Sequence, residues 1–154
     1  MSGQSIVEGI DKTLAKGCLR MIRGIRGATT VEHDDAVEII EATMELLKQL
    51  ADDNFVEPES MSSIFFSLTP DLNAAFPAEA ARRLGWTYVP VICMRELSVP
   101  NALAKAIRVI MMAETQVDQK SVRHVYLRGA EGLRQDLVPI TGFAESGTDD
   151  DDGV

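Results

Sequence analysis

The stretch Met21-Ile22-Arg23-Gly24-Ile25-Arg26-Gly27-Ala28-Thr29-Thr30-Val31-Glu32 decides the fold. It alternates small and apolar residues with two arginines. Read as a β-strand, it sends successive side chains to opposite faces. Ile22, Gly24, Arg26 and Ala28 then share one face, and Arg23, Ile25 and Gly27 the other. Arg26 stands among small neighbours with open space in front of it. A guanidinium facing a hollow suits an anion, through its fork of N–H donors. The same pattern also fits an edge strand carrying two solvated arginines.

Downstream of this strand, His33-Asp34-Asp35 supplies acids and a cap for a helix start. Val37, Ile40, Met44, Leu47 and Ala51 recur at intervals of three and four, which predicts an amphipathic helix to about Ala51. Asp52-Asp53-Asn54 is expected to end it, and Glu57-Pro58-Glu59-Ser60 to turn the chain. Ser63–Leu68 is rich in strand formers, and Thr69-Pro70-Asp71-Leu72-Asn73 breaks it into a loop. Pro77 and Gly85 bracket a short helix over Ala78–Leu84, with Ala78 and Arg82 four apart on one face. Thr87–Met94 reads as a third strand, which Pro90 confines to an edge or a bulge. Pro100–Ala106 predicts a helical turn, Ile107–Ala113 a fourth strand and Val122–Arg128 a fifth, with His124 and Tyr126 on one face. Gly129–Leu137 is an irregular end. Strands alternating with helices predict a single α/β or α+β domain.

The chain has 154 residues, 45% hydrophobic and 25% charged, enough for one domain with a real core. No apolar run reaches about 18 residues, so no transmembrane helix is expected, and the N-terminus has no continuous apolar region of the kind a signal peptide needs. Cys18 and Cys93 form no metal-ligand spacing, and a reducing cytoplasm fits their use. His33 and His124 are far apart, and no zinc or P-loop signature is present. The net charge is −9, from 24 acids and 15 bases. That balance argues against nucleic acid as a partner, and it requires local arginines to hold any anionic ligand. Residues 1–20, with Ile6, Ile10 and Leu14 at spacing four, read as an N-terminal extension. Residues 138–154 end in an acidic Gly/Ser/Asp-rich tail that is expected to be disordered.

Arg108 is the most informative side chain, because it interrupts a run that is otherwise apolar on both faces. Burying an arginine alone costs several kcal/mol, on the order of what any unpaired buried charge costs. It therefore has a carboxylate partner, Glu96 or Glu114, or it lines a cavity that receives an anion. Glu96 lies at a strand exit, where α/β folds often build sites. It can hold a ligand hydroxyl or be an exposed loop acid. Tyr126 reads as a core tyrosine with a satisfied hydroxyl, Arg82 as a surface charge, and Phe76 as a staple beside Pro77. No Ser/His/Asp order, paired carboxylates or activated cysteine occurs. Several arginines, one glutamate and one tyrosine near strand ends suit a dicarboxylate ligand and a reaction driven by placement and charge.

The opening motif from Met21 to Glu32 resembles that of the monofunctional chorismate mutases of the trimeric pseudo-α/β-barrel type, found in Bacillus. So do Thr69-Pro70-Asp71-Leu72 with Phe76-Pro77-Ala78, Tyr88-Val89-Pro90-Val91 with Cys93-Met94 and Glu96, Ile107-Arg108-Val109, and Arg123-His124-Val125-Tyr126-Leu127. The similarity spans Met21 to about Leu137 in order. It implies a mixed five-stranded sheet packed with helices, assembled as a homotrimer with sites at subunit interfaces. It also implies the rearrangement of chorismate to prephenate, on the route to phenylalanine and tyrosine, without cofactor or metal. By this resemblance Arg108 faces the breaking ether oxygen, Arg26 and Tyr126 grip the enolpyruvyl carboxylate, and Glu96 and the Cys93 backbone hold the ring hydroxyl. Phe76, Val91, Ile92 and Leu133 wall the cavity. Phe76, Ala78 and Arg82 come from the neighbouring subunit, and Arg82 helps close the site. Glu79 stands where the family often has a lysine. The alternative reading is a non-catalytic binder of an anionic metabolite on the same fold.

Overall fold

The computed structural model describes Arg20 to Leu137; the predicted N-terminal extension with Cys18 and the acidic tail lie outside the described residues. Strand β1 runs over Met21–Thr30, helix α1 over Ala36–Asn54, β2 over Met61–Leu68, α2 over Ala78–Arg83, β3 over Val91–Arg95, β4 over Ala106–Thr115 and β5 over Val125–Tyr126. Short 3-10 turns occupy Pro58–Ser60 and Arg128–Leu137. The five strands form one sheet in the order β3-β2-β4-β1-β5. β4 is antiparallel to both β1 and β2, while β5 lies parallel to β1 and β3 parallel to β2. This is the mixed five-stranded sheet expected from the sequence.

One face of the sheet is covered by α1. Ile25, Gly27 and Thr29 of β1 point into that core, with Ile64 and Phe66 of β2 and Ile107, Val109 and Met111 of β4. Gly27 packs closely: a Cβ there would lie 2.9 Å from Leu50 Cδ1 and 3.0 Å from both Leu46 Cδ1 and Val109 Cγ1, so those side chains would have to shift to admit it.

Asp35 caps α1, its Oδ1 accepting from the N–H of Val37 at 2.9 Å and of Glu38 at 3.1 Å. Of the expected stripe, Ile40, Leu47 and Ala51 are buried, while Val37 is exposed and Met44 only half-buried; Ile39, Ala42, Thr43, Leu46, Leu50 and Asn54 are buried with them. Thr43 and Asn54 do not read as core on hydrophobicity alone. Thr43 Oγ1 donates to the Ile39 carbonyl at 2.6 Å, which makes its burial inexpensive.

The helix also outruns its expected end. Asn54 is buried, donates to Leu50 O and Arg123 O, and accepts from Arg123 N, each at 2.8 Å. The turn then closes on Phe55 in the left-handed conformation (φ 54°), its N–H reaching back to the last helical turn.

Other boundaries moved for local reasons. β2 starts at Met61, ahead of the expected Ser63, with an irregularity in its pairing to β4. β3 begins at Val91, not Thr87, because Pro90 has no N–H; its carbonyl still accepts from Ile64 N at 2.9 Å. β3 is an edge strand, one of the two positions that Pro90 allowed. Residues 100–105 are turns with Asn101 and Lys105 at positive φ, not a helical turn. Asp71 organises that segment, accepting from Lys105 N at 2.9 Å and from Thr69 Oγ1. β5 is only two residues long, against seven expected.

Candidate active site

The other face of the sheet is where the chemistry gathers. β1 and β4 pair so that Ala28 lies beside Arg108 and Arg26 beside Ile110, while β2 puts Ser67 on the far side of Arg108. Arg26 and Arg108 therefore rise from adjacent strands on the same face. Parallel pairing of Ala28 with Tyr126 adds the tyrosine. Glu96 follows directly on β3, its N–H held by Leu68 O at 2.8 Å. A hollow of about 270 Å³ opens over these strands, and Arg26, Glu96, Arg108, Tyr126 and Leu133 all line it.

Arg108 Nε lies 3.5 Å from Glu96 Oε2. The two charges are in Coulombic range, yet the N–H is not aimed at the carboxylate, and buried Nε has no hydrogen-bond partner. Glu96 Oε2 instead accepts from Ser67 Oγ at 2.5 Å, which fixes the carboxylate. Glu114 is excluded as the partner, since it pairs with Ile22 at the far end of β1. The Arg108 side chain is 41% exposed. A pair that accessible contributes at most about 1 kcal/mol. Glu96 thus orients Arg108 without consuming its donors.

Tyr126 is not the core tyrosine with a satisfied hydroxyl that its alternation with apolar neighbours suggests. Its hydroxyl is buried without a hydrogen-bond partner. Two buried polar groups, Tyr126 Oη and Arg108 Nε, thus belong to residues lining one hollow and have no hydrogen-bond partner within the chain. A buried polar group left unpaired costs about 1–3 kcal/mol, so the site is built for a ligand rich in acceptors.

Several expected residues lie elsewhere. Cys93, Phe76 and Pro77 line a second hollow between β3 and the segment leading to α2. Burial pushes the Cys93 thiol up, against the Ala78 N–H and Arg82 beside it. Ala78 is buried in the α2 packing. Val91 and Ile92 sit on edge strand β3 and do not line the Arg108 hollow. Arg82 is exposed and reaches Glu79 Oε2 at 3.4 Å, while Arg83 reaches Glu79 Oε1 at 3.3 Å. Hydrogen bonds from both arginines hold the Glu79 carboxyl below its ordinary range. The glutamate at this position thus draws Arg82 along its own helix.

Sequence reading missed Ser67, Ile110, Met94, Phe65 and Arg134, which also line the hollow. Strand pairing alone reveals Ser67, because only β2–β4 register sets it opposite Arg108. Of the two arginines in the opening stretch, Arg23 is structural: its Nε donates to Val117 O at 3.2 Å.

The sequence model of the chorismate mutase type I family matches residues 22–137. The chain belongs to the type I chorismate mutases. It is 52% identical over 118 residues to the chorismate mutase AroH of Bacillus subtilis strain 168, covering 76% of this chain and 93% of that one. It is 48% identical over 118 residues to the chorismate mutase AroH of Thermus thermophilus, covering 76% and 97%. A solved chorismate mutase from Clostridium thermocellum superposes with a TM-score of 0.69 at 50% identity, covering 70% of this chain and 96% of that one.

Proposed function

We infer that the chain is a chorismate mutase, an isomerase that rearranges chorismate to prephenate. Family membership and relatives near 50% identity over almost their whole length carry the activity. The observation that bears on mechanism is the pair of unsatisfied buried donors around one hollow, Arg108 Nε and Tyr126 Oη.

The reaction breaks a C–O bond and forms a C–C bond within one molecule, so no proton need move. Two protein contributions remain: holding the folded-up conformer, and stabilising charge at the ether oxygen as its bond lengthens. We assign Arg108 to that oxygen. Glu96, itself fixed by the Ser67 hydroxyl, lies 3.5 Å from its Nε and leaves that donor free for the substrate. An interaction that strengthens as charge develops raises kcat and not merely affinity. Arg26 and Tyr126 receive the enolpyruvyl carboxylate, Glu96 takes the ring hydroxyl, and Leu133 closes one wall.

We also propose a homotrimer with the site completed across the interface. Phe65 and Ile110 line the hollow on the face away from α1, and both are substantially exposed, as are Ile92 and Met94 of β3. A face of that composition calls for a protein partner. Phe76, Ala78 and Arg82 do not line their own chain's hollow, which suits donation to a neighbour's. A cytoplasmic location completes the proposal, supported by the half-buried free thiol of Cys93. No helix among the described residues is long and apolar enough to cross a membrane.

The test of activity is loss of chorismate absorbance on adding purified protein, with prephenate as the only product. Unchanged absorbance, with tight binding of a bicyclic transition-state mimic, would establish the non-catalytic binder instead.

A further inference from the structure

β5 pairs with β1 through only Gly27–Val125 and Ala28–Tyr126. One residue earlier, where the ladder would continue to Arg26, the strand has ended. There the backbone N–H of Arg26 donates to His124 Nδ1 at 3.0 Å. An imidazole nitrogen replaces the missing strand carbonyl at the point where β1 carries the arginine that lines the hollow. We propose that His124 is a positioning residue: its Nδ1 extends the β1–β5 ladder by one rung and so fixes the backbone from which Arg26 reaches the substrate carboxylate. The role rests on the reading of Arg26 as a substrate ligand.

The chemistry makes the rung sensitive to protonation. To accept at Nδ1 the ring must be neutral, with its proton on Nε2. Protonated, it would present a second donor to the Arg26 N–H, and the rung would break. The surroundings favour the neutral ring. His124 is half-buried, and burial together with the cations Arg26 of β1 and Arg134 of the closing 3-10 segment lowers its proton affinity. Helix α1 meets this segment through neutral Asn54, which binds the Arg123 backbone. The rung is therefore intact above the ordinary imidazole range and is lost as pH falls through a lower value.

The experiment compares steady-state kinetics against pH for wild type, His124→Asn, His124→Leu and Arg26→Gln. Asn can accept the same N–H but cannot titrate; Leu can do neither. In wild type, kcat/KM should show an acid limb below the usual imidazole value, a property of the free enzyme. In His124→Asn the limb should vanish and KM should stay within about threefold, a rescue by the retained acceptor. In His124→Leu, KM should rise about tenfold while kcat changes less than about threefold, as expected when one hydrogen bond that supports ground-state binding is removed. A merely structural histidine would instead lower the melting temperature of both variants and leave the acid limb in place. The proposal is overturned if His124→Asn keeps the wild-type limb, or if His124→Leu keeps the wild-type KM while Arg26→Gln raises it. If Arg26→Gln itself leaves KM unchanged, the assignment of Arg26 falls, and the positioning role falls with it.

Discussion

The two faces of the sheet are made by alternate residues of the same strands, yet they obey different rules. Toward α1, β1 shows Ile25, Gly27 and Thr29, close-packed against Leu46 and Leu50. Away from it, the same strand shows Arg26 and Ala28 beside a hollow holding unsatisfied donors. The covered face is close-packed and contributes stability, even with Thr29 Oγ1 left without a hydrogen bond. The open face leaves apolar surface and polar donors without a partner in the chain, which suits the substrate and subunit contacts proposed for it. Stability and function are thus separated by parity along each strand.

That separation can be broken by substitution. Arg108→Ala should leave the melting temperature near wild type while lowering kcat by about 10²–10³ or more, the scale of losing one preorganised donor to a developing charge. A chorismate absorbance assay and a thermal melt on one preparation check both halves, and a large drop in melting temperature would contradict the division. Leu46→Ala is the converse. It should cost about 3 kcal/mol of stability through the cavity it leaves under Gly27, read by urea unfolding, with kcat/KM of the folded fraction little changed.

Phe65→Asp sharpens the assembly claim. Phe65 is 39% exposed on the open face, so a charge there should be tolerated by the single chain. Light scattering should then give a smaller species than wild type, with helix content retained. An unchanged mass would remove this face from the interface. Asp35→Ala, remote from both faces, should cost only about 1 kcal/mol, since it removes the side-chain cap of α1; activity at 25 °C should not follow it.

The signal for Arg26 and Arg108 lay in local pattern, because a charge that interrupts an apolar run needs an explanation wherever the strand goes. Whether Arg108 served an ion pair or a ligand could not be read locally. The structure makes Glu96 its neighbour while leaving Nε unbonded. Tyr126 reads as core for the same reason: alternation reveals which face a ring occupies, not whether its hydroxyl finds a partner. The α1 stripe was right at Ile40, Leu47 and Ala51 but missed Thr43 and Asn54, because hydropathy does not register a polar side chain that is buried with a hydrogen bond.

Taken alone, the sequence determined the strand and helix order, the edge or bulge to which Pro90 confines the third strand, and the family, since these depend on local stereochemistry and on motifs held in order. The tertiary structure decided what depends on register between distant strands. It set Ser67 and Ala28 on either side of Arg108, gave Asn54 a partner 69 residues away, and ended β5 where His124 takes over. A hydrogen bond across such a distance depends on where the whole chain has folded, which no short window of residues contains.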